Sequence, residues 1–329
     1  MRIEVIGAGV IGLSTALRLL EHGHQVTVRA AATGERTTSS VAAALWYPYL
    51  AAPAEAMRRW GAVSYDVLSS LALSDPAAGV DLRQGFELLD SPREPPDWAG
   101  EVRGFRPITS SEGHRHVDGR RAEHGWAFES PVADMAVYLP WLAARVVAAG
   151  GRIDAGDRLT PADLRSARPG TQVRVLCTGL GSHALLGDTD VAPVRGQVVL
   201  LSQVGLRSWV LDESEPHRPT YVVPRRDVVV CGGTALPNRW DDGVDDETTH
   251  DILTRCRALV PELASAHVLG VRVGLRPVRS RVYLERDDTR GPDGMATIAC
   301  YGHGGAGVTV SWGCAEQVAT LVDGTRVSV

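Results

Sequence analysis

The sequence predicts a doubly wound α/β nucleotide domain, built from both ends and the middle of the chain, with a β-rich second domain inserted twice. Three observations predict it. Glycines cluster in a turn at Gly7–Gly12, between an apolar strand and a helical run. A second glycine-rich turn, Gly302–Gly307, opens another helical run near the opposite end. Between them, Val173–Cys177 reads as a buried strand that closes at Gly179, as strands of doubly wound sheets do.

In chain order, Ile3–Ile6 is an apolar strand and Leu13–Leu20 a helical run that stops at Gly23. Gln25–Val28 is the next strand, rich in β-branched residues. The turn between the first two, Gly7-Ala8-Gly9-Val10-Ile11-Gly12, has the G-x-G-x-x-G spacing in its proper strand–turn–helix context. There the unpaired N–H groups and the positive helix end accept a pyrophosphate. An acid that would hold ribose hydroxyls usually ends the second strand, but this chain has Arg29-Ala30-Ala31 and its next acid is Glu35. An arginine there could instead signal a 2′-phosphate. The motif alone leaves FAD, NAD and NADP open. Thr37-Thr38-Ser39-Ser40 can cap a helix or bind phosphate oxygens, and leads into Val41–Leu45.

Residues 55–73 have a helical period, with Met57, Trp60, Val63, Val67 and Leu71 on one face. Residues 76–130 are rich in proline, glycine and charge and read as short strands and loops. Met135–Ala149 is helical and closes at Gly150-Gly151. Strands are expected at Gly196–Leu201, Tyr221–Val223 and Val228–Gly232, then a helix at Asp245–Leu259. Two further strands, Val271–Leu275 and Ser280–Glu285, lead back to the glycine turn at 302. The partition is residues 1–54, 134–194 and 272–329 for the nucleotide domain, and 55–133 and 195–271 for the second domain, expected to bind substrate.

Composition narrows the function. With 44% hydrophobic and 22% charged residues the chain is ordinary for a soluble enzyme, and its net charge of −5 gives nucleic acid or an anionic membrane no purchase. The five cysteines (177, 231, 256, 300 and 314) are scattered and form no CxxC, so no metal is expected. No apolar run approaches the roughly 18 residues of a membrane span. A strand beginning at residue 3 leaves no room for a secretory leader in front of it, and a cytoplasmic setting is expected. All 34 lysine-plus-arginine positions are arginine. A Schiff base to pyridoxal phosphate, a Walker A loop and a lysine general base are thereby excluded.

Several blocks together resemble the D-amino-acid oxidases, including their D-aspartate oxidase branch. They are Val5–Leu17, Val41–Leu50, Cys177-Thr178-Gly179, Val194–Gln197, Gly274–Arg279 with Leu284-Glu285-Arg286, and Tyr301–Gly305 with Val308-Thr309 and Trp312-Gly313-Cys314. The resemblance spans the chain. It implies a glutathione-reductase-type, Rossmann-like FAD domain with an inserted mixed-sheet substrate domain, and non-covalent FAD as cofactor. Gly7, Ala8, Gly9, Val10, Ile11 and Gly12 would hold the pyrophosphate, with Thr37, Thr38, Ser39, Ala44, Leu45 and Gly179 around them. Gly304, Gly305, Gly307, Val308 and Thr309 would face the polar edge of the flavin ring. Arg276 matches the arginine that grips the substrate carboxylate, Tyr221 the tyrosine that supports it, and the Gly305 carbonyl the acceptor of the substrate amine. Tyr47, Tyr49 and His217 would wall the side-chain pocket.

With both polar groups on Cα fixed, the Cα–H points at flavin N5. Hydride transfer would then yield an imino acid, with no general base needed. Hydrolysis gives a 2-oxo acid and ammonia, and oxygen gives hydrogen peroxide. Four positions depart from the family: His217 for a second tyrosine, Tyr47 where vertebrate members have glutamine, Ala306 after Gly305, and Ala31 for the ribose acid. Neutral, mostly apolar D-amino acids are the expected substrates, with L-isomers inactive. D-aspartate oxidase stays open as an alternative, as does a non-catalytic dinucleotide-binding protein. A homodimer is one open state of assembly.

Overall fold

The computed structural model describes residues 1–48, 52–109, 112, 116–117, 120–121, 123–156, 158–166, 168–287 and 295–325. The first unit is β1 (Arg2–Ile6), α1 (Val10–Glu21) and β2 (Gln25–Ala30). The expected strands and helix appear here, and α1 begins inside the glycine turn. Helix α2 (Ala54–Ser74) follows, then β3 (Val80–Leu89), β4 (Arg106–Pro107), β5 (His116–Val117), β6 (Arg120–Arg121) and β7 (His124–Ala133). Next come α3 (Met135–Ala148), β8 (Arg152–Ala155), α4 (Pro161–Leu164), β9 (Val173–Leu176) and α5 (Gly181–Leu186). The chain continues through β10 (Ala192–Ser202), β11 (Trp209–Asp212), β12 (Thr220–Pro224), β13 (Val228–Gly232) and β14 (Leu236–Pro237). It closes with α6 (Asp246–Leu259), β15 (Val268–Asp287), β16 (Ala296–His303) and α7 (Gly307–Gly324).

One sheet runs through the molecule in the order β4-β7-β3-β11-β12-β13-β10-β15-β16-β9-β1-β2-β8, with β14 paired to β10. The β16-β9-β1-β2-β8 side is parallel, as crossover helices require. Its strands are Val- and Ile-rich because both faces are covered; β9 is buried at every position. From β10 to β12 the pairing is antiparallel. Helix α7 packs between α1 and α2. Gly313 permits that approach, since a Cβ there would overlap the backbone of Trp60.

Three expectations are corrected. Residues 76–130 hold two ten-residue strands, β3 and β7, paired along their whole length. Phe86 and Leu88 are buried in one core cluster and Trp126 and Phe128 in another, so both faces are covered and half-buried charges such as Arg83 and Glu87 interrupt the period. The two strands expected at 271–275 and 280–285 are one 20-residue strand, β15. Its register on β16 shifts between Val278 and Tyr283, and Pro277 sits before that irregularity. The Thr37–Ser40 cluster starts a short 3₁₀ turn, Thr38–Val41, rather than an α-helix.

Candidate active site

The glycine turn is built by close approach. Gly7 has φ +118°, and a Cβ on it would overlap the carbonyl oxygen of Cys177 at the end of β9. A Cβ on Gly12 would overlap the Gly7 carbonyl, so Gly12 works inside the turn and not on the cavity wall. Gly9 offers helix α1 no capping side chain, and no acid sits in the first turn. Ser39 Oγ accepts the Val10 N–H at 3.0 Å, so the hydroxyl cluster caps α1 from a distance. The helix end stays positive and faces a cavity of about 580 Å³.

Gly7, Ala8, Gly9, Val10 and Ile11 line one side of that cavity, with Thr37, Thr38 and Ser39 next to them. Ala44, Leu45 and Gly179 continue the wall. Ala44 has φ +58°, an uncommon conformation for a residue with a side chain. Its loop is held by buried Arg225, which donates to the carbonyls of Ala42 at 2.6 Å and Ala43 at 3.2 Å. The second glycine turn, Gly304, Gly305, Gly307, Val308 and Thr309, also lines the cavity, and at Gly307 it adjoins the first turn at Val10. Helix α7 starts there with no capping side chain and no acid in its first turn. Two helix N-termini thus face one cavity, α1 capped only by the distant Ser39 hydroxyl and α7 by no side chain. Thr309 is tied elsewhere, because its hydroxyl donates to the Tyr47 carbonyl at 2.9 Å.

The missing ribose acid is real, but Arg29 does not replace it with a 2′-phosphate ligand. Its guanidinium donates to Glu4 Oε1 at 3.1 Å, and Arg174 takes the other oxygen of the same carboxylate at 2.7 Å. Arg36 and Arg158, which sequence reasoning passed over, line that end with Ala30, Ala31 and Ala32.

Arg276 and Tyr221 line the same cavity. Two glycines make room for them: a Cβ on Gly196 would overlap the Arg276 guanidinium, and one on Gly232 the Tyr221 ring. Arg276 Nη1 donates to the Thr234 carbonyl at 2.9 Å. Among the described residues no carboxylate forms an ion pair with it, although other buried arginines, such as Arg174 and Arg255, do pair with carboxylates. Burial raises the Tyr221 phenol above its ordinary value, opposed by the nearby Arg276 charge. Arg255 fixes this corner from behind, donating to Thr220 Oγ1 at 2.6 Å and to the carbonyls of Pro219 and Gly233, each at 3.1 Å.

Tyr47 lines the side-chain end, with its hydroxyl donating to Glu87 Oε1 at 2.7 Å. Tyr49 lies outside the described residues. His217 is corrected: it is exposed, does not line the cavity, and has Nδ1 3.1 Å from the Ala235 carbonyl. The reciprocal Ala235 N–H to His217 carbonyl bond, at 3.0 Å, pins that loop and keeps the ring on the Ala235 carbonyl. Neighbouring Arg218 also turns outward, to Asp251 at 2.6 Å and Glu215 at 3.2 Å. Glu213, which no motif marked, stands on the wall instead. Burial pushes its carboxyl up to about 8, helped by the charges of Glu87 and Asp212 and opposed by Arg276. His303 lines the cavity too; burial lowers it to about 4, so it is neutral at working pH. Its ring lies within 4.8 Å of the Cys300 and Cys314 thiols; a contact from Cys177 lowers the Cys300 thiol, but Cys314 and burial together outweigh it and hold the group well above its ordinary value, in the thiol form that a metal does not take.

This donor set fits a flavin dinucleotide: a glycine cradle that side chains would fill, and two helix ends for a pyrophosphate and an electron-rich ring edge. The fold and the site define an FAD-dependent oxidoreductase. The chain belongs to the FAD dependent oxidoreductase (DAO) family, whose model matches residues 2–321. It is 44% identical over 322 residues to a D-amino-acid oxidase of Rubrobacter xylanophilus, covering 97% of this chain and 95% of the relative. It is 40% identical over 321 residues to a D-amino-acid oxidase of Streptomyces coelicolor, covering 97% and 96%. The crystal structure of a glycine oxidase from Bacillus cereus superposes with a TM-score of 0.77 at 20% identity, covering 98% of this chain and 95% of that one. Among the described residues no helix is long and apolar enough to cross a membrane.

Proposed function

We propose that this chain oxidises D-amino acids to 2-oxo acids, with release of ammonia and hydrogen peroxide. One observation carries the reading: the cavity that suits FAD is lined by Arg276, a guanidinium with Tyr221 beside it and no carboxylate paired to it among the described residues. A substrate carboxylate completes that arginine with two parallel charge-assisted bonds. The Gly305 carbonyl takes the amine, and the substrate's Cα–H is thereby aimed across the cavity. FAD, when bound, supplies the hydride acceptor and passes the electrons to oxygen. The chain's own contribution is orientation, exclusion of water, and the positive end of α7 near the ring's electron-rich edge. His303 and Tyr221 stay neutral, and no side chain is needed as a base.

We assign residues 1–54, 134–194 and 272–329 to cofactor binding, and 55–133 and 195–271 to substrate binding. The parallel strands fall in the first set and β3, β7 and β11–β13 in the second; β10 and β15 cross the boundary. Neutral side chains are preferred over D-aspartate, because Arg218 and His217 face outward and a second carboxylate would meet Glu213. That argues against the D-aspartate oxidase reading. Five free, buried cysteines suit a reducing, cytoplasmic setting. The test is stoichiometry: D-methionine should give peroxide, ammonia and 2-oxo acid one to one to one. A protein that binds FAD yet consumes no oxygen with any D-amino acid is the non-catalytic alternative.

A further inference from the structure

The side-chain end of the cavity was expected to be aromatic and apolar. It is acidic. Glu213 follows β11 and lines the cavity. Among the described residues its carboxylate has no hydrogen bond and no ion pair; Arg276 acts on it through space alone. Glu87 stands on the adjacent strand, with Leu211 as its register partner, and Leu211 is two residues before Glu213. Strand periodicity puts those positions toward one face. Glu87 Oε1 is taken by the Tyr47 hydroxyl, while its Oε2 is buried with no partner. The two carboxyls feel each other's charge. The groups that face them are Arg276 on β15, Asp212 beside Glu213, Tyr47, and Arg93 near Glu87.

We propose that Glu213 is a specificity residue that binds a cationic side chain, so that D-amino acids carrying a guanidinium or ammonium group are preferred substrates. This rests on the oxidase reading above. Arg276 is the carboxylate clamp in that reading, and Glu213 is near enough to feel its charge. A substrate held at Arg276 therefore extends its side chain into the neighbourhood of Glu213. A cation there gives a half-buried acid the counter-charge that no hydrogen bond or ion pair supplies among the described residues. It also relieves the repulsion between Glu213 and Glu87. A carboxylate there would meet two carboxyl groups and no counter-charge of its own. A neutral side chain leaves Glu213 protonated and unrewarded. Preference therefore runs cationic, then neutral, then acidic.

Binding a cation favours the ionised form of Glu213, so it releases a proton wherever the empty site holds the acid neutral. The advantage of D-arginine over D-methionine should grow as pH rises from 7 toward 8.5, and level off above. The α-amino group is common to both substrates, so its own titration cancels in the ratio.

The experiment uses FAD-loaded enzyme and measures kcat/KM for D-arginine, D-lysine, D-methionine and D-aspartate at pH 7 and 8.5. D-arginine should exceed D-methionine, and D-aspartate should trail D-arginine by roughly 100-fold or more. Glu213→Gln should lower the D-arginine to D-methionine ratio by roughly 30-fold, mainly through KM, and abolish its rise with pH. A second readout needs no turnover. The flavin spectrum reports binding of 5-guanidinopentanoate, which is D-arginine without its amine, against hexanoate. Wild-type enzyme should bind the guanidino acid more tightly, and Glu213→Gln should not. Good D-methionine turnover with poor D-arginine turnover and weak guanidino-acid binding overturns this inference and leaves the oxidase reading standing. Tight guanidino-acid binding with no turnover of any D-amino acid supports the cation site and overturns the oxidase reading. A wild-type substrate ratio and ligand preference retained in Glu213→Gln also overturn the inference.

Discussion

Replacing Arg276 with leucine removes the group that the site is arranged around. The guanidinium lies over Gly196, donates once to the Thr234 carbonyl, and pairs with no carboxylate among the described residues. Two charge-assisted bonds to a substrate carboxylate are worth about 3–5 kcal/mol together, at 1.5–3 each with some compensation by water. At 1.36 kcal/mol per factor of ten, Arg276→Leu should lower kcat/KM by roughly 10²–10⁴, mostly through KM. Leucine keeps bulk above Gly196, and neither glycine turn is touched. FAD should stay bound, read as one flavin per chain from the yellow absorbance of the purified protein. The lost bond to Thr234 costs about 1 kcal/mol of stability, which thermal unfolding would register as a small shift. Steady-state peroxide formation over a wide range of D-methionine gives kcat and KM separately. A loss below about tenfold would refute the clamp. Arg279 is a poor replacement, since Asp188 holds its Nε at 3.0 Å, so the search would turn to Arg272.

Tyr221→Phe removes one hydrogen bond and should cost about 1–2 kcal/mol, or roughly 5- to 30-fold in kcat/KM, with FAD content unchanged. Gly7→Ala forces a side chain into the Cys177 carbonyl at φ +118°, so the purified protein should be colourless or should lose FAD on dialysis, with a lowered Tm. Glu213 is protonated in the fold up to about 8 but only to about 4.5 when unfolded. Between those values the folded state binds more protons, so the stability contributed by this group falls as pH rises from 5 to 8. Glu213→Gln should therefore raise Tm more at pH 8 than at pH 5, and an equal shift at both would discount the buried acid.

Much of this site was legible because its chemistry is backbone chemistry. Gly7, Gly12, Gly304 and Gly307 announce close approach and helix ends wherever they fall, and spacing alone places them. Arg276 and Tyr221 came through resemblance, and the structure adds why they fit, in Gly196 and Gly232 beneath them. The long strands β3 and β7 were missed because both of their faces pack against a core, Phe86 and Leu88 into one cluster and Trp126 and Phe128 into another, so neither strand alternates simply between apolar and polar. The break of β15 into two expected strands followed Pro277, which the real strand accommodates at an irregular register. Glu213 had no sequence signal. Its meaning depends on β3 lying beside β11, a pairing between residues more than 120 positions apart. His217 failed for the same kind of reason: its loop bonds to Ala235 and keeps the ring on that carbonyl.

The central claim is that Arg276, the Gly305 carbonyl and the flavin face together admit one enantiomer. Anaerobic mixing of the FAD-loaded enzyme with D- or L-methionine tests it without help from oxygen chemistry. The D-isomer should bleach the flavin absorbance in a single saturable phase. The L-isomer should leave the spectrum oxidised, because it must surrender the carboxylate clamp, the amine contact or the alignment of its Cα–H. Bleaching by L-methionine at a comparable rate, or by neither isomer, would contradict the account.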